Sequence, residues 1–502
     1  MEKKTCINYS FCNKCREIVP TRHEEKDGKI FLVKECPDCG ITSVKVSSDA
    51  ERYNKKRELQ GYKGEAESTC SLKCKECNHG IPPALVFLDV TNRCNMNCPI
   101  CLANIPAMGF KFDPPMEYFE KVFKKLTKMK PRPKIQLFGG EPTVRDDLVD
   151  IIKLAKSYGL SARVVTNGIR LADEEYCKKL LDTRAQLMFS LDGLDREIYD
   201  KIRKNPKAFD LKMKAFENLE KFKKSKVTIM CATGYGVNDD HIGGLIDFCH
   251  EKRKIISALD LIPLTTHWGP EKVDVESSTI EDVEKIVEDA KPGMRFFPAG
   301  MLYKFPTLKE VFKVRLTFGG AHPNCESVSL MVSDGEQYQP FTKYLKRDQN
   351  KALQEAVRLD EKLGKKMKKS FMVKIFGNSW KKIACGWAAF KFVRRTIDLH
   401  EVFGDHTTLK IIKILMGLAA GKKMKTMLRK HSKCQNILRI MVLPFEETEC
   451  IESARLVDCP ASFAYEHPET GEIRLMPVCA WPMYKDDILR ATAQKYAEKA
   501  AS

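Results

Sequence analysis

The sequence predicts an α/β fold built on a partial (βα)6 barrel, with a cysteine-rich unit at each end. Three observations carry this. Six apolar runs, ALVFLDV (84–90), KIQLF (134–138), ARVVT (162–166), QLMFSL (186–191), VTIMCAT (227–233) and ALDLIPL (258–264), have the length and composition of buried strands. Amphipathic segments such as EYFEKVFKKLTKM, DLVDIIKLAKSYG and FDLKMKAFENLEKFKKSK separate them, the pattern of parallel strands joined by right-handed helical crossovers. Cysteines in short-range pairs and triplets bracket this alternating region.

Residues 1–48 read as a metal-binding ribbon. Cys12-x2-Cys15 and Cys36-x2-Cys39 flank RHEEKDGKIFLVKE, in which an Asp27-Gly28 turn joins two strand-like runs. Two such knuckles across a hairpin bring four sulfurs into a tetrahedron, the geometry of a zinc ribbon or of a rubredoxin-like mononuclear iron. The spacing argues for one metal ion and leaves iron and zinc both open.

Residues 49–83 carry the first of two cysteine triplets of identical spacing, Cys70, Cys74 and Cys77. The second, Cys94, Cys98 and Cys101, follows the first strand of the barrel, which spans 84–270. Three thiolates spaced in this way bind three irons of a cubane cluster and leave the fourth iron open to a small molecule, so redox chemistry leads. A structural zinc site would close its shell with a fourth Cys or His, and the second triplet has none nearby. The loop after a parallel strand is also where barrels of this kind gather their chemistry.

After about residue 270 the alternation fades. Residues 271–340 form a core extension that supplies Cys325 as a candidate cluster ligand, and 341–433 are basic and helical in pattern. Within the latter, TLKIIKILMGLAAGKKMKTMLRKH reads as an amphipathic helix packed on the domain, a lid, or a lipid-contacting helix. The last unit, 434–502, places Cys450, Cys459 and Cys479 around PETGEIRLMPVC.

There are 20 cysteines in 502 residues, in clusters unlike the spread of a small secreted disulfide scaffold, so the thiols read as ligands. The segment MEKKTCINYSFCNKC lacks the apolar core of a signal peptide, and later apolar stretches are broken by Lys or Gly before a membrane span is reached. A reduced, cytoplasmic protein without transmembrane helices is expected. A net charge of +19 favours anionic partners: phosphorylated substrates, lipid headgroups, nucleic acid or an acidic electron donor.

The motifs around the second triplet give the chain a resemblance to radical S-adenosylmethionine (SAM) enzymes. Cys94, Cys98 and Cys101 fall on the CxxxCxxC that in that superfamily holds a 4Fe-4S cluster chelating SAM. The resemblance implies one-electron cleavage of SAM to methionine and a 5′-deoxyadenosyl radical that abstracts hydrogen. Gly139-Gly140-Glu141-Pro142 lies where the family has its GGE motif, with Glu141 expected to receive the SAM amino group. Thr166-Asn167-Gly168 and Ser190-Leu191-Asp192-Gly193 end the third and fourth strands, which makes Asn167, Ser190 and Asp192 candidate contacts to SAM carboxylate and ribose. Turn capping by the same residues is the alternative. Ile100 departs from the aromatic residue often found before the last cluster cysteine.

By the same resemblance, Cys70, Cys74 and Cys77 look like an auxiliary cluster site with a fourth ligand from His79, Cys325 or a C-terminal cysteine. A Cys3His zinc knuckle is the competing reading. Cys459 and Cys479 resemble the auxiliary-cluster (SPASM-like) extension of many family members, with Cys450 a weaker third member. Cys177, Cys231, Cys249, Cys385 and Cys434 read as ordinary buried residues.

The four-Cys ribbon, the two triplets, the His322–Cys325 segment and the Cys459/Cys479 unit together resemble one subgroup nearly end to end. It contains archaeal tetraether lipid synthase and a radical SAM methylase proposed for methanopterin biosynthesis. Cys39 where relatives often have His, a missing cysteine ahead of His322, and residues 341–433 are departures. The resemblance implies carbon-carbon coupling of lipid chain ends, with methylation of a pterin or other small substrate as the alternative and an iron-sulfur or nucleic-acid-binding scaffold as the non-enzymatic reading. It further implies one or two auxiliary clusters, an electron donor such as ferredoxin or flavodoxin, no nucleic acid, and peripheral contact with a membrane.

Overall fold

A computed structural model of the chain describes residues 8–62, 70–224, 226–265, 275–313, 321–419, 422 and 424–501. Parts of the expected 49–83, 271–340 and 341–433 units therefore lie outside the described residues.

Four antiparallel strands form the ribbon: β1 (Asn8–Phe11), β2 (Ile18–Lys26), β3 (Lys29–Cys36) and β4 (Gly40–Ser47). The two-residue loop between β2 and β3 is the expected one. Asp27 and Gly28 both have positive φ, 51° and 69°, the pairing that matches a tight turn to the right-handed twist of a hairpin. The ribbon does not stand alone. Lys34, fully buried, donates to the carbonyls of Phe11 and Glu449, while Ser10 donates to the Ile451 carbonyl at 2.6 Å. Its floor is thus the 449–453 segment near the other end of the chain.

All six barrel strands form where the apolar runs place them: β5 (Leu85–Thr91), β6 (Lys134–Gly139), β7 (Ala162–Thr166), β8 (Gln186–Ser190), β9 (Val227–Thr233) and β10 (Ile256–Pro263), each parallel to the next. Continuous Val, Ile, Leu and Phe are required because helices cover the outer face and side chains fill the inner one. Helix Met116–Thr127 shows the logic, burying Tyr118, Phe119, Val122, Phe123 and Leu126 at helical spacing against the sheet.

The sheet is longer than the sequence suggests. After β11 (Phe297–Pro298), β12 (Ser327–Ser333) and β13 (Tyr338–Pro340), strand β14 (Asn436–Val442) joins β10 in parallel, with β12 antiparallel beyond it. On the other side β15 (Ala461–Glu466) pairs in parallel with β5 and in antiparallel with β16 (Ile473–Pro477). The expected 434–502 unit is therefore corrected: its strands complete a 12-stranded sheet. Both additions are pairings between segments far apart in the chain, which local pattern does not reveal.

Residues 341–433 are helical as expected, with helices Gln349–Lys369, Phe371–Thr396, Leu399–Phe403, Thr407–Ala419 and Met424–His431. Gly377, at φ 54° and ψ −133°, kinks the second of these. Among the described residues no helix is long and apolar enough to cross a membrane.

Candidate active site

The C-terminal ends of β5 to β8 meet at one mouth, and the second triplet sits on the loop that leaves β5. Backbone geometry explains why Gly139 and Gly140 follow β6. The Gly140 amide donates to the Thr91 carbonyl at 2.7 Å and the Glu141 amide to the Arg93 carbonyl at 2.8 Å. A Cβ on Gly139 would lie 2.2 Å from the Thr91 oxygen, and one on Gly140 would lie 2.1 Å from the Arg93 oxygen. The glycines let the β6 turn lie directly against residues 91–93, so that the cysteine loop starts from a fixed base. Close approach was expected toward a ligand; the atoms met here are backbone.

Glu141 is likewise spent inside the protein. Only 2% exposed, it accepts from the Thr143 amide (3.0 Å) and hydroxyl (2.6 Å), the Thr166 hydroxyl (2.8 Å) and the Asn167 amide (2.6 Å). These bonds tie the β6 and β7 ends together. Asn167 reaches across the mouth, its Nδ2 donating to Asn95 Oδ1 in the cysteine loop at 2.7 Å. Ser190 is half-buried at the β8 end, and its carbonyl accepts from Lys212 Nζ at 2.6 Å.

Asp192 is sealed more completely still. Its carboxylate is fully buried and receives Arg203 Nε and Nη2, each at 2.8 Å, together with the Ala232 amide at 3.0 Å. Burial opposes its charged form, but the Arg203 guanidinium holds the carboxyl below its ordinary range. The charge of the same guanidinium also acts on the Cys98 thiol, so Asp192 and the cysteine loop share one cation. Burial pushes the Cys98 thiol up, with Arg203 opposing, and pushes Cys94 up to about 12.

Arg203 and Lys212 escape sequence reasoning. Arg203 sits four residues after buried Tyr199 on helix Arg196–Arg203, and Lys212 shares the inner face of helix Ala208–Phe222 with Ala215, Phe216 and Leu219. A lysine on an apolar face was the available signal. Its Nζ donates to the Asn167 and Ser190 carbonyls, both at 2.6 Å, and burial lowers it to about 8.

In the ribbon, the four sulfurs of Cys12, Cys15, Cys36 and Cys39 lie within 4.8 Å of one another, with Cys15 and Cys36 at 3.6 Å. Metal-sulfur bonds of about 2.3 Å in a tetrahedron put sulfurs about 3.8 Å apart, so the set fits a single ion. Backbone amides of Cys15 and Lys14 draw Cys12 down to about 6, which favours the thiolate that a metal needs.

The remaining expected ligands fall into two places. Cys70, Cys74 and Cys77 pack beside the β15–β16 hairpin and the C-terminal helix, where the Leu475 amide donates to Asn78 and Tyr484 lies over Lys75. His79, one of the expected candidates for a fourth ligand, has its Nε2 2.8 Å from the Cys459 carbonyl. Cys325, Cys459 and Cys479 line a separate cavity in the barrel lumen, together with Glu446 and Arg455. Cys450 lines a neighbouring pocket against the ribbon. Cys177, Cys231, Cys249 and Cys385 are fully buried, as read from the sequence, whereas Cys434, read with them, is only half-buried.

A family model described as the radical SAM superfamily matches residues 88–249, and one described as the HMPTM N-terminal zinc ribbon domain matches residues 7–48. A relative from Methanocaldococcus jannaschii, 7,8-dihydro-6-hydroxymethylpterin dimethyltransferase, is 30% identical over 96% of this chain and 93% of its own. The chain belongs to the radical SAM superfamily. It is an enzyme of that class, and membership implies a 4Fe-4S cluster and SAM. Over shorter spans the radical SAM chain also resembles a probable GTP 3′,8-cyclase of Pyrococcus abyssi, 30% identical over 36% of this chain and 58% of that one. The crystal structure of Streptococcus suis SuiB bound to S-adenosylmethionine is 12% identical, covers 56% of this chain and 69% of that one, and gives a TM-score of 0.34. The expected coupling of lipid chain ends gains no support from these relatives, whereas the pterin alternative does.

Proposed function

We propose that this radical SAM enzyme is a C-methyltransferase acting on a reduced pterin. The observation that carries the reading is the likeness, across nearly the whole of both chains, to the pterin dimethyltransferase. The lumen is compatible with it: Gln136, Arg163, Asp260 and Arg439 line it with donors and acceptors beside the apolar Phe87 and Met188. A carboxylate such as Asp260, buried and 3.0 Å from Arg439, suits an amino-pyrimidinone edge.

In this reading Cys94, Cys98 and Cys101 hold the cluster, and the strand ends at Gly139–Glu141, Asn167 and Ser190 frame SAM. When bound, the cluster and SAM supply a radical strong enough to take hydrogen from an unactivated carbon. Arg203 sets the charge beside Cys98, Lys212 pins the two turns from below, and the lumen keeps water from the reacting carbon. Cys70, Cys74 and Cys77 form one auxiliary cluster site and Cys325, Cys459 and Cys479 another, each completed by a ligand outside the named set, while the ribbon holds one iron or zinc. A small acidic protein such as ferredoxin or flavodoxin supplies electrons.

The test is anaerobic turnover of the reconstituted enzyme with SAM, a strong reductant and 7,8-dihydro-6-hydroxymethylpterin, followed by mass spectrometry. The reading expects a product heavier by one or two CH2 units. Diether lipid is the comparison substrate, and a chain-coupled lipid with an unchanged pterin would replace this reading with the other.

A further inference from the structure

The net charge of +19 is concentrated in one place. Residues 341–433 contain 24 Lys and Arg against 7 Asp and Glu, a net of +17, so the rest of the chain is close to neutral. The same segment exposes large apolar side chains. On helix Phe371–Thr396, Ile383 is 62% exposed, Trp387 59% and Phe390 37%. Their spacing of four and then three residues places them on one stripe. The opposite face of the helix is already satisfied, since Cys385 is buried in a cluster with Val311 and Met367.

The helix is therefore apolar on two faces and, among the described residues, has a partner for only one. Trp387 and Phe390 stack on each other at 5.8 Å, with Lys391 Nζ 5.1 Å from the Trp387 ring, so the outward stripe is ordered with its cations beside it. Ahead of the Gly377 kink, Phe371 (71% exposed), Ile375 and Phe376 continue the exposed apolar surface, and on helix Thr407–Ala419 Leu409, Ile412 and Met416 are exposed too. Lys374, Lys382, Lys391, Arg394 and Arg395 are exposed around the stripe.

We infer that this helical segment is a docking surface for an anionic membrane, with helix Phe371–Thr396 lying in the headgroup plane. The charge complementarity chooses the occupant. Aliphatic and aromatic side chains bordered by lysines suit acyl chains beneath negative headgroups. Nucleic acid would use the cations but has no use for Ile383 or Ile412, and a second copy of this basic surface would be repelled. Because no described helix is long and apolar enough to cross, the contact is peripheral. It differs from the lipid-contacting reading of TLKIIKILMGLAAGKKMKTMLRKH: the main stripe is on another helix, and the inference does not depend on which substrate the barrel takes.

The experiment is flotation of the full-length, reconstituted enzyme with vesicles of phosphatidylcholine alone and of an equimolar phosphatidylcholine–phosphatidylglycerol mixture. The parent should float with the anionic vesicles, less so at high salt, and not with the neutral ones. The triple variant Ile383→Ser, Trp387→Ser, Phe390→Ser should lose about tenfold or more of the binding while still cleaving SAM. A second variant, Lys374→Glu, Lys382→Glu, Lys391→Glu, should lose it as well. Equal flotation of parent and both variants, or no flotation of the parent at low salt, overturns the proposal. So does a change of sedimentation from dimer to monomer in the triple variant without effect on vesicles, or tight oligonucleotide binding that displaces the vesicles and ignores the apolar substitutions.

Discussion

Asp192 and Arg203 form a two-contact ion pair, 2.8 Å at each contact, with the carboxylate sealed from solvent and the guanidinium's charge opposing the effect of burial on the Cys98 thiol. Removing one member leaves a buried charge alone, which costs about 3–5 kcal/mol. Arg203→Ala should lower unfolding stability by that order, whereas Asp192→Asn should retain one hydrogen bond and cost less. Denaturation of the two variants against the parent checks the order, and cluster loss at unchanged stability would show that the pair serves the cysteine loop alone.

Acid should expose the same pair. A carboxylate held below its ordinary range contributes stability that is complete above about pH 4, its unfolded range, and is lost as pH falls through its folded value. The parent's stability should therefore fall more steeply below pH 4 than that of Asp192→Asn. Parallel pH profiles would contradict the assignment.

Lys212 should show the opposite dependence. Burial lowers it to about 8, so the unfolded chain binds its proton more tightly than the folded one. Stability should rise with pH between about 8 and 10.4 and stay flat on this account below 8. In Lys212→Met that rise should disappear, measured as the slope of the unfolding midpoint against pH.

Gly140→Ala places a methyl group 2.1 Å from a backbone carbonyl that cannot move without shifting the start of the cysteine loop. Reconstituted iron at the SAM cluster should fall severalfold and 5′-deoxyadenosine with it. Gly236→Ala is the control: it pays the strain of its φ of +66° but meets nothing within 4 Å, so a loss of about 1 kcal/mol in stability is expected without loss of iron.

The proposed sites in the ribbon, at Cys70, Cys74 and Cys77, and in the lumen lie in different parts of the fold, so on the proposed assignment they should lose metal separately. Cys15→Ser should remove the ribbon ion and speed hydrogen exchange in β2 and β3, because so small a sheet has little core of its own. Cys74→Ala and Cys459→Ala should each lower iron without affecting SAM binding. Iron for a single cluster in the parent protein would remove both auxiliary assignments.

The barrel strands were legible because a strand buried on both faces must be apolar throughout, a signal local to each run. Strands β14 and β15 carry similar runs, NILRIMV and ASFAYE, but their place beside β10 and β5 is a long-range pairing that no local pattern encodes. The site divides the same way. The spacing of Cys12, Cys15, Cys36 and Cys39 was legible as a group, and those four sulfurs do meet. The partners of Glu141 and Asp192 were not legible, because Thr166 and Arg203 come from later elements, and an acid at a strand end looks alike whether it faces a ligand or a buried cation.

The most direct measurement is 5′-deoxyadenosine formed from SAM by the anaerobic, reduced enzyme in the presence of 7,8-dihydro-6-hydroxymethylpterin. It is read for the parent and for the Cys94→Ala, Cys98→Ala, Cys101→Ala variant. The account predicts formation by the parent, raised above its background by the pterin, and none by the variant. Undiminished formation in the variant would contradict the placement of the cluster on this loop, and formation indifferent to the pterin would contradict the proposed substrate.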